Sequence, residues 1–153
     1  MAEGSLNGFK GEIVRFRLQD VPEPVVVCYV KRTGLAAVWI KALGRHDAEV
    51  ELSGAGFTEI EAATNAVRQL LGEADGNQLK VYRAEPKREK RSGVSVVQSA
   101  ISYDVGAEYR EEFGQGTGAH RLATQAYIMA LFTAINKIHV KLANREMVPV
   151  RTA

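Results

Sequence analysis

The sequence predicts an α+β fold of two pseudo-symmetric β-β-β-α units, with antiparallel sheets packed against helices. Three strand-like stretches precede a glycine-x-glycine segment and an alanine-rich helical stretch, and this order occurs twice along the chain. The predicted strands follow one another closely, as antiparallel neighbours can because they need only short turns. The 153 residues are enough for one domain of this kind with a proper core.

The first unit begins with residues 25–32, whose many β-branched side chains are typical of a strand. Residues 35–43 form a second predicted strand after a short turn. Residues 48–52 alternate apolar and charged side chains, which indicates a third strand with one face in water. Gly54-Ala55-Gly56 is predicted to end that strand.

The helix of the first unit has signals at both ends. Thr58 suits the N-cap, and Glu61 three residues later completes a capping box. Gly72 is placed to end the helix. The apolar residues between these signals recur at helical spacing and form one stripe: Ile60, Ala63, Ala66, Val67, Leu70 and Leu71.

The second unit repeats this order with longer elements. Strands are predicted over 78–84, 94–103 and 108–113, with a charged loop over 85–93 and a turn over 104–106. Gly114-Gln115-Gly116 follows the last strand. A helix is then predicted from about His120 to about Asn144, with an apolar stripe rich in alanine.

The composition favours a cytoplasmic protein. A formal charge of +2 gives no strong field toward nucleic acid or an anionic membrane, and no segment has the length and apolarity of a membrane span. Cys28 is the only cysteine, which excludes an internal disulfide and favours a reducing compartment. Because it lies in the apolar run 25–30, we expect a buried structural thiol.

We interpret 1–23 as an extension or linker, 24–145 as the domain and 146–153 as a tail.

Motifs for catalysis are missing from the sequence. His46, His120 and His139 are not spaced as a ligand pair and no second cysteine exists, so no metal site is predicted. Neither glycine pair is followed by the third glycine of a dinucleotide fingerprint. No nucleophile elbow or phosphate-binding loop occurs. We therefore predict no catalytic residue, no metal and no cofactor.

The charged loop over 85–93, with the residues just before it, is the one basic feature. Two glutamates dilute its charge and no aromatic residue lies within it, which favours a solvated hairpin over an arm that contacts phosphates. We accordingly keep nucleic-acid binding only as the least favoured function. The basic residues are Arg83, Lys87, Arg88, Lys90 and Arg91.

The two glycine-x-glycine segments leave two interpretations open. Glycines between a strand and a helix can expose backbone N–H groups at the positive end of the helix, where a carboxylate binds. They can also simply make a tight turn. The small residues of the second helix, Ala123, Ala126, Ala130 and Ala134, are equally consistent with packing inside the domain and with a dimer interface or pocket wall.

These segments resemble the C-terminal regulatory domain of the 2-isopropylmalate synthase and citramalate synthase family. The family's Gly-x-Gly-x-Gly-Pro-Val-Asp-Ala-Ala aligns without a gap with residues 54–63, and its Ala-Tyr-x-x-Ala-Leu with residues 126–131. The resemblance covers roughly residues 24–140. Two departures stand out: Thr58-Glu59 replaces the family's Gly-Pro, and the loop of residues 117–120 is about two residues shorter.

The resemblance implies a non-catalytic domain that binds a leucine- or isoleucine-like effector and forms a homodimer. It implies service to a synthase catalytic domain in branched-chain amino-acid biosynthesis; the family's catalytic barrel is missing, so no transferase activity is expected. The alternatives are a protein-interaction module that lost the effector and, less favoured, a nucleic-acid module. The predicted effector-binding residues are Gly54, Gly56, Ile60, Ala62, Ala63, Ala66, Gly114, Gly116 and Ala123.

Overall fold

The computed structural model describes residues 16–19, 23–71, 78–83, 85–91 and 98–147. It confirms the α+β class, with antiparallel sheets packed against helices. The elements in chain order are β1 (Arg17–Leu18), β2 (Val25–Val30), β3 (Leu35–Leu43), β4 (Glu49–Gly56), α1 (Glu59–Arg68), β5 (Lys80–Arg83), β6 (Lys87–Arg91), β7 (Gln98–Tyr109), β8 (Glu112–His120) and α2 (Ala123–Met147).

Each sheet is built around one long central strand. In the first, sheet A, β3 pairs with β4 along one edge and with β1 and β2 along the other. In the second, sheet B, β7 pairs with β8 along one edge and with β5 and β6 along the other. Helix α1 packs on β3 and β4, and α2 packs on β7 and β8. The two halves therefore share one arrangement.

Two predictions about the second unit are wrong. The basic segment predicted as a loop contains β6, which pairs with residues 98–102 of β7. The turn predicted over 104–106 lies inside β7, where the ring of Phe113 packs over Gly106. The chain turns instead at Arg110 and Glu111, whose φ values of 50° and 67° fit a two-residue hairpin turn without the usual asparagine or glycine. Parts of the predicted segments, including Gly72 and the start of 94–103, lie outside the described residues.

The glycine pairs do not break their strands. Gly54 and Gly56 belong to β4, and Gly114 and Gly116 belong to β8. A Cβ added at Gly54 would lie 2.5 Å from the carbonyl oxygen of Ala62, and one added at Gly116 would lie 2.3 Å from that of Ala130. Glycine is thus required because each helix backbone lies directly against its strand, which sequence patterns alone do not reveal.

The helix starts differ from each other. Thr58 caps α1 as predicted, since its hydroxyl accepts the Glu61 N–H at 3.0 Å, while the Glu61 carboxylate accepts the Phe57 N–H at 3.1 Å. Helix α2 begins at Ala123 and not at His120, which is the last residue of β8. The predicted start was early because β8 is longer than its composition indicated.

The core lies between the helices and the inner sheet faces. Five large side chains of the two helical segments are each at most 2% exposed: Val67, Leu70, Tyr127, Leu131 and Ile135. The two helices meet where the hydroxyls of Thr64 and Tyr127 hydrogen-bond at 2.6 Å. The side chain of Asn136 bonds the backbone N–H of Phe16 at 3.0 Å and its carbonyl at 2.8 Å, which ties the segment before β1 to α2.

The prediction of a buried Cys28 is wrong, because its side chain is exposed. It lies opposite Ala37 on the face of sheet A that points away from the helices. The run from Val25 to Val30 is apolar on both faces of its strand, so apolarity did not distinguish the inner from the outer face. None of the helices among the described residues is long and apolar enough to cross a membrane.

Candidate effector site

The predicted effector residues mostly lie in the two seams between helix and strand. Gly54 packs against the backbone of Ala62 and Ala66, and Gly114 and Gly116 pack against α2 in the matching seam. Ala62, Ala63 and Ala66 are fully buried, and Ile60 is half-buried against the core. Ala123 differs, because it lines a cavity at the start of α2. The nine predicted residues therefore lie in separate groups and do not surround a single pocket.

The amides of the first glycine pair point into the β ladder. Successive residues of an antiparallel strand direct their N–H and C=O groups to alternate edges. The side chain of Gln69 bonds the N–H of Ser53 at 3.4 Å and its carbonyl at 2.5 Å, so Ser53 faces the outer edge of β4. Gly54 and Gly56 consequently face β3, where they pair with Val38 and Ala36.

The same holds for the second glycine pair. Tyr109 and Glu112 flank the two-residue turn as a hydrogen-bonded pair, and this pattern repeats at every second residue of β8. Lys141 binds the carbonyl of Phe113 at the outer edge, which fits this alternation. Gly114 and Gly116 therefore bond to β7. A ligand carboxylate needs donors other than these four amides.

Such donors lie in the first turn of α2. The carbonyl of Leu122 accepts the Ala126 N–H at 3.0 Å, which makes Leu122 the N-cap, yet its side chain has no acceptor atom. The Leu122 N–H donates to Nδ1 of His120 at 3.0 Å. The next amides, from Ala123 to Gln125, have no partner within the helix. The first turn holds no acidic residue, and Arg121 precedes it.

These amides adjoin a cavity of about 570 Å³ between β2 and the start of α2. That volume is in the range of small-molecule sites. Its apolar walls come from β2 and the α2 start, and its polar side chains are two glutamates, one arginine, one threonine and one glutamine. The residues are Glu23, Val25, Val26, Val27, Glu59, Arg121, Leu122, Ala123, Thr124 and Gln125.

Glu59 forms the acidic side of the cavity. Its carboxylate accepts hydrogen bonds from the Tyr29 hydroxyl and from Oγ1 of Thr124, the latter at 2.5 Å. The hydrogen bond to Glu59 raises the pKa of Tyr29, and the desolvation and the negative charge nearby add to the effect. Sequence reasoning missed this cluster because Tyr29 and Thr124 are 30 and 65 positions from Glu59. The replacement of the family's proline by Glu59 was its only signal.

No protein-family model matches this sequence, and no curated protein matches it either. The geometry of the cavity is therefore the basis for a functional proposal, together with the residues that resemble the synthase regulatory domain.

Proposed function

We propose that this chain is a non-catalytic regulatory domain that binds a leucine- or isoleucine-like amino acid in the cavity at the start of α2. One observation carries the proposal: the N-terminus of α2, which has no capping side chain at Leu122, opens onto a partly apolar cavity that also holds the Glu59 carboxylate, hydrogen-bonded to Thr124 of the same turn. An α-amino acid with a short apolar side chain presents the complementary groups. Its carboxylate suits the helix start, and its ammonium suits Glu59.

The carboxylate end has two sources of attraction. Amides at a helix start bind anions, and a charge at such a helix end is stabilised by about 0.3–1 kcal/mol, or up to about 2 kcal/mol when partly buried. Arg121 adds a positive charge beside the same turn. The absence of a capping side chain at Leu122 leaves this position to a ligand.

The other two ligand groups have partners as well. The ammonium would form a charge-assisted hydrogen bond with Glu59, which Tyr29 and Thr124 hold in position. The apolar side chain would lie against Val25, Val27 and Leu122. Full burial of a leucine side chain contributes about 1.5–3 kcal/mol, so the site favours apolar over polar amino acids.

The wider role follows from the family resemblance. We propose that the chain pairs with a second copy and controls an acyl-CoA-dependent synthase of branched-chain amino-acid biosynthesis in the cytoplasm. The condensation reaction would belong to a separate catalytic domain, and this chain would contribute binding only. A protein-interaction module without an effector is the alternative that leads if no amino acid binds.

Calorimetry with leucine and two fragments of it tests the site. Isopentylamine lacks the carboxylate of leucine, and 4-methylpentanoate lacks its ammonium group. We expect leucine to bind more tightly than either fragment, by about tenfold for each 1.4 kcal/mol lost. Binding of all three with equal affinity would show that the polar groups are not recognised, and no heat with millimolar leucine, isoleucine or valine would reject the proposal.

Glu59→Gln sharpens the assignment of the two ends. Tyr29 and Thr124 donate to different carboxylate oxygens of Glu59. Glutamine keeps one acceptor oxygen and presents an NH2 in place of the other, so one of the two hydroxyls must turn to accept from it, and the negative charge is lost. We expect weaker binding of leucine and isopentylamine and unchanged binding of 4-methylpentanoate. Equal loss for all three compounds would indicate damage to the cavity instead of loss of the ammonium partner.

A further inference from the structure

The outer face of sheet B, which points away from the helices, carries another cavity. Its volume is about 410 Å³, which is in the range of small-molecule sites. Tyr82 of β5 and Phe113 of β8 line it with rings that are 51% and 41% exposed. Asp104, Gln115 and Thr117 supply further polar side chains to its lining. The cavity thus combines two exposed rings with a few polar groups, which is the composition of a specific binding site.

Gly106 explains why the two rings are open to the same space. It lies on the central strand β7, opposite Tyr82 on one edge and Gln115 on the other. A Cβ added at Gly106 would lie 2.7 Å from Cζ of Phe113, so the Phe113 ring reaches over the glycine. Because Gly106 has no side chain, β7 places nothing between the ring of Tyr82 and that of Phe113 at this position.

The repeat shows that the fold does not require these rings. Tyr82 lies two strands away from the residue between the glycines of β8, and Cys28 holds the equivalent place in sheet A. Phe113 comes just before the glycines of β8, and Ser53 comes just before those of β4. The same frame therefore forms with small side chains at both positions, so the ring pair is a feature of the second half alone.

Among the described residues that line this cavity, Asp104 is the one that carries a charge. Its carboxylate is exposed and forms no ion pair within the described part of the chain. Three further charges lie on the same face beyond the lining: Lys80 opposite Glu108, and Lys87 opposite Ser102. The described charges of the whole face are therefore balanced, whereas the cavity itself is acidic.

We propose that this cavity binds an N-methylated ammonium group, as choline and a trimethylated lysine side chain both present. The negative faces of the two rings attract a cation within about 6 Å of their centres, and the Asp104 carboxylate attracts it as well. At ordinary strand spacing, a cation above β7 lies about 5 Å from the lines of β5 and β8, within reach of both rings. This site goes beyond the function proposed above and shares no lining residue with the cavity at the start of α2.

The same features disfavour other ligand classes. Asp104 and the ring faces repel phosphate and carboxylate groups, so a nucleic-acid strand does not fit this cavity. A bare ammonium group is strongly hydrated, whereas the methyl groups of an N-methylated cation can contact the rings directly. A neutral ligand of the same shape gains the apolar contact alone.

Choline and its neutral analogue 3,3-dimethylbutan-1-ol test the proposal on the unmodified chain. The two compounds have the same shape, but a carbon atom replaces the charged nitrogen in the alcohol. We expect millimolar choline to shift the backbone NMR signals of residues 104–106 and 113–117, and the alcohol to bind about tenfold more weakly. Equal affinity for the two compounds, or no shift at these residues with millimolar choline, would overturn the proposal.

Two glycine-flanked lysine peptides identify the source of the ammonium group. One carries a trimethylated lysine and the other an unmodified lysine. We expect the trimethylated peptide to bind more tightly, because the bare ammonium group retains its water. If it also binds more tightly than choline, the source is a modified protein side chain; if not, the source is a small molecule. Binding of the unmodified peptide with equal or higher affinity would contradict the proposal.

Asp104→Asn and Glu51→Gln form a matched pair of charge variants. Both remove one exposed carboxylate, but Glu51 lies in β4 of the other sheet. We expect Asp104→Asn to bind choline several-fold more weakly and to bind the alcohol as before, whereas Glu51→Gln should bind both compounds like the original chain. A folded Asp104→Asn with the original affinity for choline would overturn the proposal.

Phe113→Leu and Phe57→Leu form the matched pair for the rings. Leucine at position 113 still covers Gly106 but has no ring face, and Phe57 is an exposed ring outside this cavity. We expect Phe113→Leu alone to weaken choline binding, and equal choline affinities of the two variants would contradict the site. None of these titrations contains leucine, and saturation with leucine should leave the choline affinity unchanged. The failure of either proposed site is therefore seen separately from the other.

Discussion

The two helix N-termini of this protein occupy equivalent places in the repeat but differ in chemistry. The start of α1 is sealed by the Thr58 hydroxyl and carries Glu59 and Glu61 in its first turn. The start of α2 has Leu122 at the N-cap, no acidic residue in its first turn, and Arg121 just before it. The start of α1 is thus capped by its own chain. The start of α2 lacks a capping side chain at Leu122, and the nearby Glu59 carboxylate hydrogen-bonds the hydroxyl of Thr124. Two copies of one frame can therefore divide structural and binding roles between them.

The outer sheet faces differ in the same way. Ala55 lies opposite Ala37, whereas Gln115, at the equivalent place, lies on a face where Asp104 and Thr117 are accompanied by the exposed rings of Tyr82 and Phe113. The inner faces are alike, since glycines in β4 and β8 let both helices pack closely. The glycine contacts that the two halves share determine the fold. We place the function at the helix starts and outer faces, where the halves differ.

The shared core should give the largest effects. Leu131 of α2 and Leu70 after α1 are at most 1% exposed, so truncation of either to alanine should cost about 2–5 kcal/mol of unfolding free energy. Urea denaturation followed by circular dichroism measures both. A loss below about 0.5 kcal/mol for Leu131→Ala would place that side of α2 in solvent and contradict the assigned fold.

The glycines at the contacts between helix and strand should give the next largest losses of unfolding free energy. Gly54→Ala and Gly116→Ala each insert a methyl group within 2.5 Å of helix backbone atoms, and the strain should cost about 1–3 kcal/mol. Gln115→Ala, in the same strand but facing outward, is the control and should cost less than about 0.5 kcal/mol. A loss of unfolding free energy below about 0.5 kcal/mol for Gly54→Ala and Gly116→Ala would show that the helices do not lie this close to their strands.

The helix caps should give smaller effects of opposite sign. Thr58→Ala removes a hydrogen-bonded cap and should destabilise the protein by about 1 kcal/mol. Leu122→Thr supplies a cap that α2 lacks and should stabilise by roughly the same amount. Thermal unfolding without ligand compares the two. Destabilisation by both variants would mean that the start of α2 is already satisfied.

The smallest effect concerns Tyr29. Its pKa is raised above 10.0, so the hydrogen bond to Glu59 persists below that pH and is lost as pH rises through the raised pKa. Glu59→Gln should lower the pKa of Tyr29 toward its ordinary value. The phenolate absorbance of each protein, after subtraction of its Tyr29→Phe counterpart, gives this pKa. An unchanged pKa of Tyr29 in Glu59→Gln would show that Glu59 does not determine this pKa.

Local signals in the sequence predicted the parts of this structure that local interactions produce. The capping box at Thr58 and the helical spacing from Ile60 to Leu71 gave the first helix and its buried side. The predicted strand limits around Gly56 and Gly114 were wrong. These glycines lie inside strands and are required there because a helix later in the chain packs directly against them. Apolarity alone also misplaced Cys28.

The candidate site was less accessible to sequence reasoning. Of the predicted residues, Ala123 lines the cavity, while Glu59, Thr124 and Tyr29 were absent from the prediction. Their cluster depends on how two sheets and two helices meet, and no sequence spacing encodes it. The uncapped start of α2 became visible only when β8 was found to extend to His120.

The most direct test of the difference between the two halves is a calorimetric titration of Leu122→Asp with leucine. The new carboxylate would cap the amides of the first turn and occupy the place proposed for the carboxylate of the ligand. Leu122→Ala is the control, since it removes the apolar side chain but leaves the amides open. We predict that leucine binds the original chain, binds Leu122→Ala more weakly, and does not bind a folded Leu122→Asp. Leucine binding to Leu122→Asp with the original affinity would contradict the account.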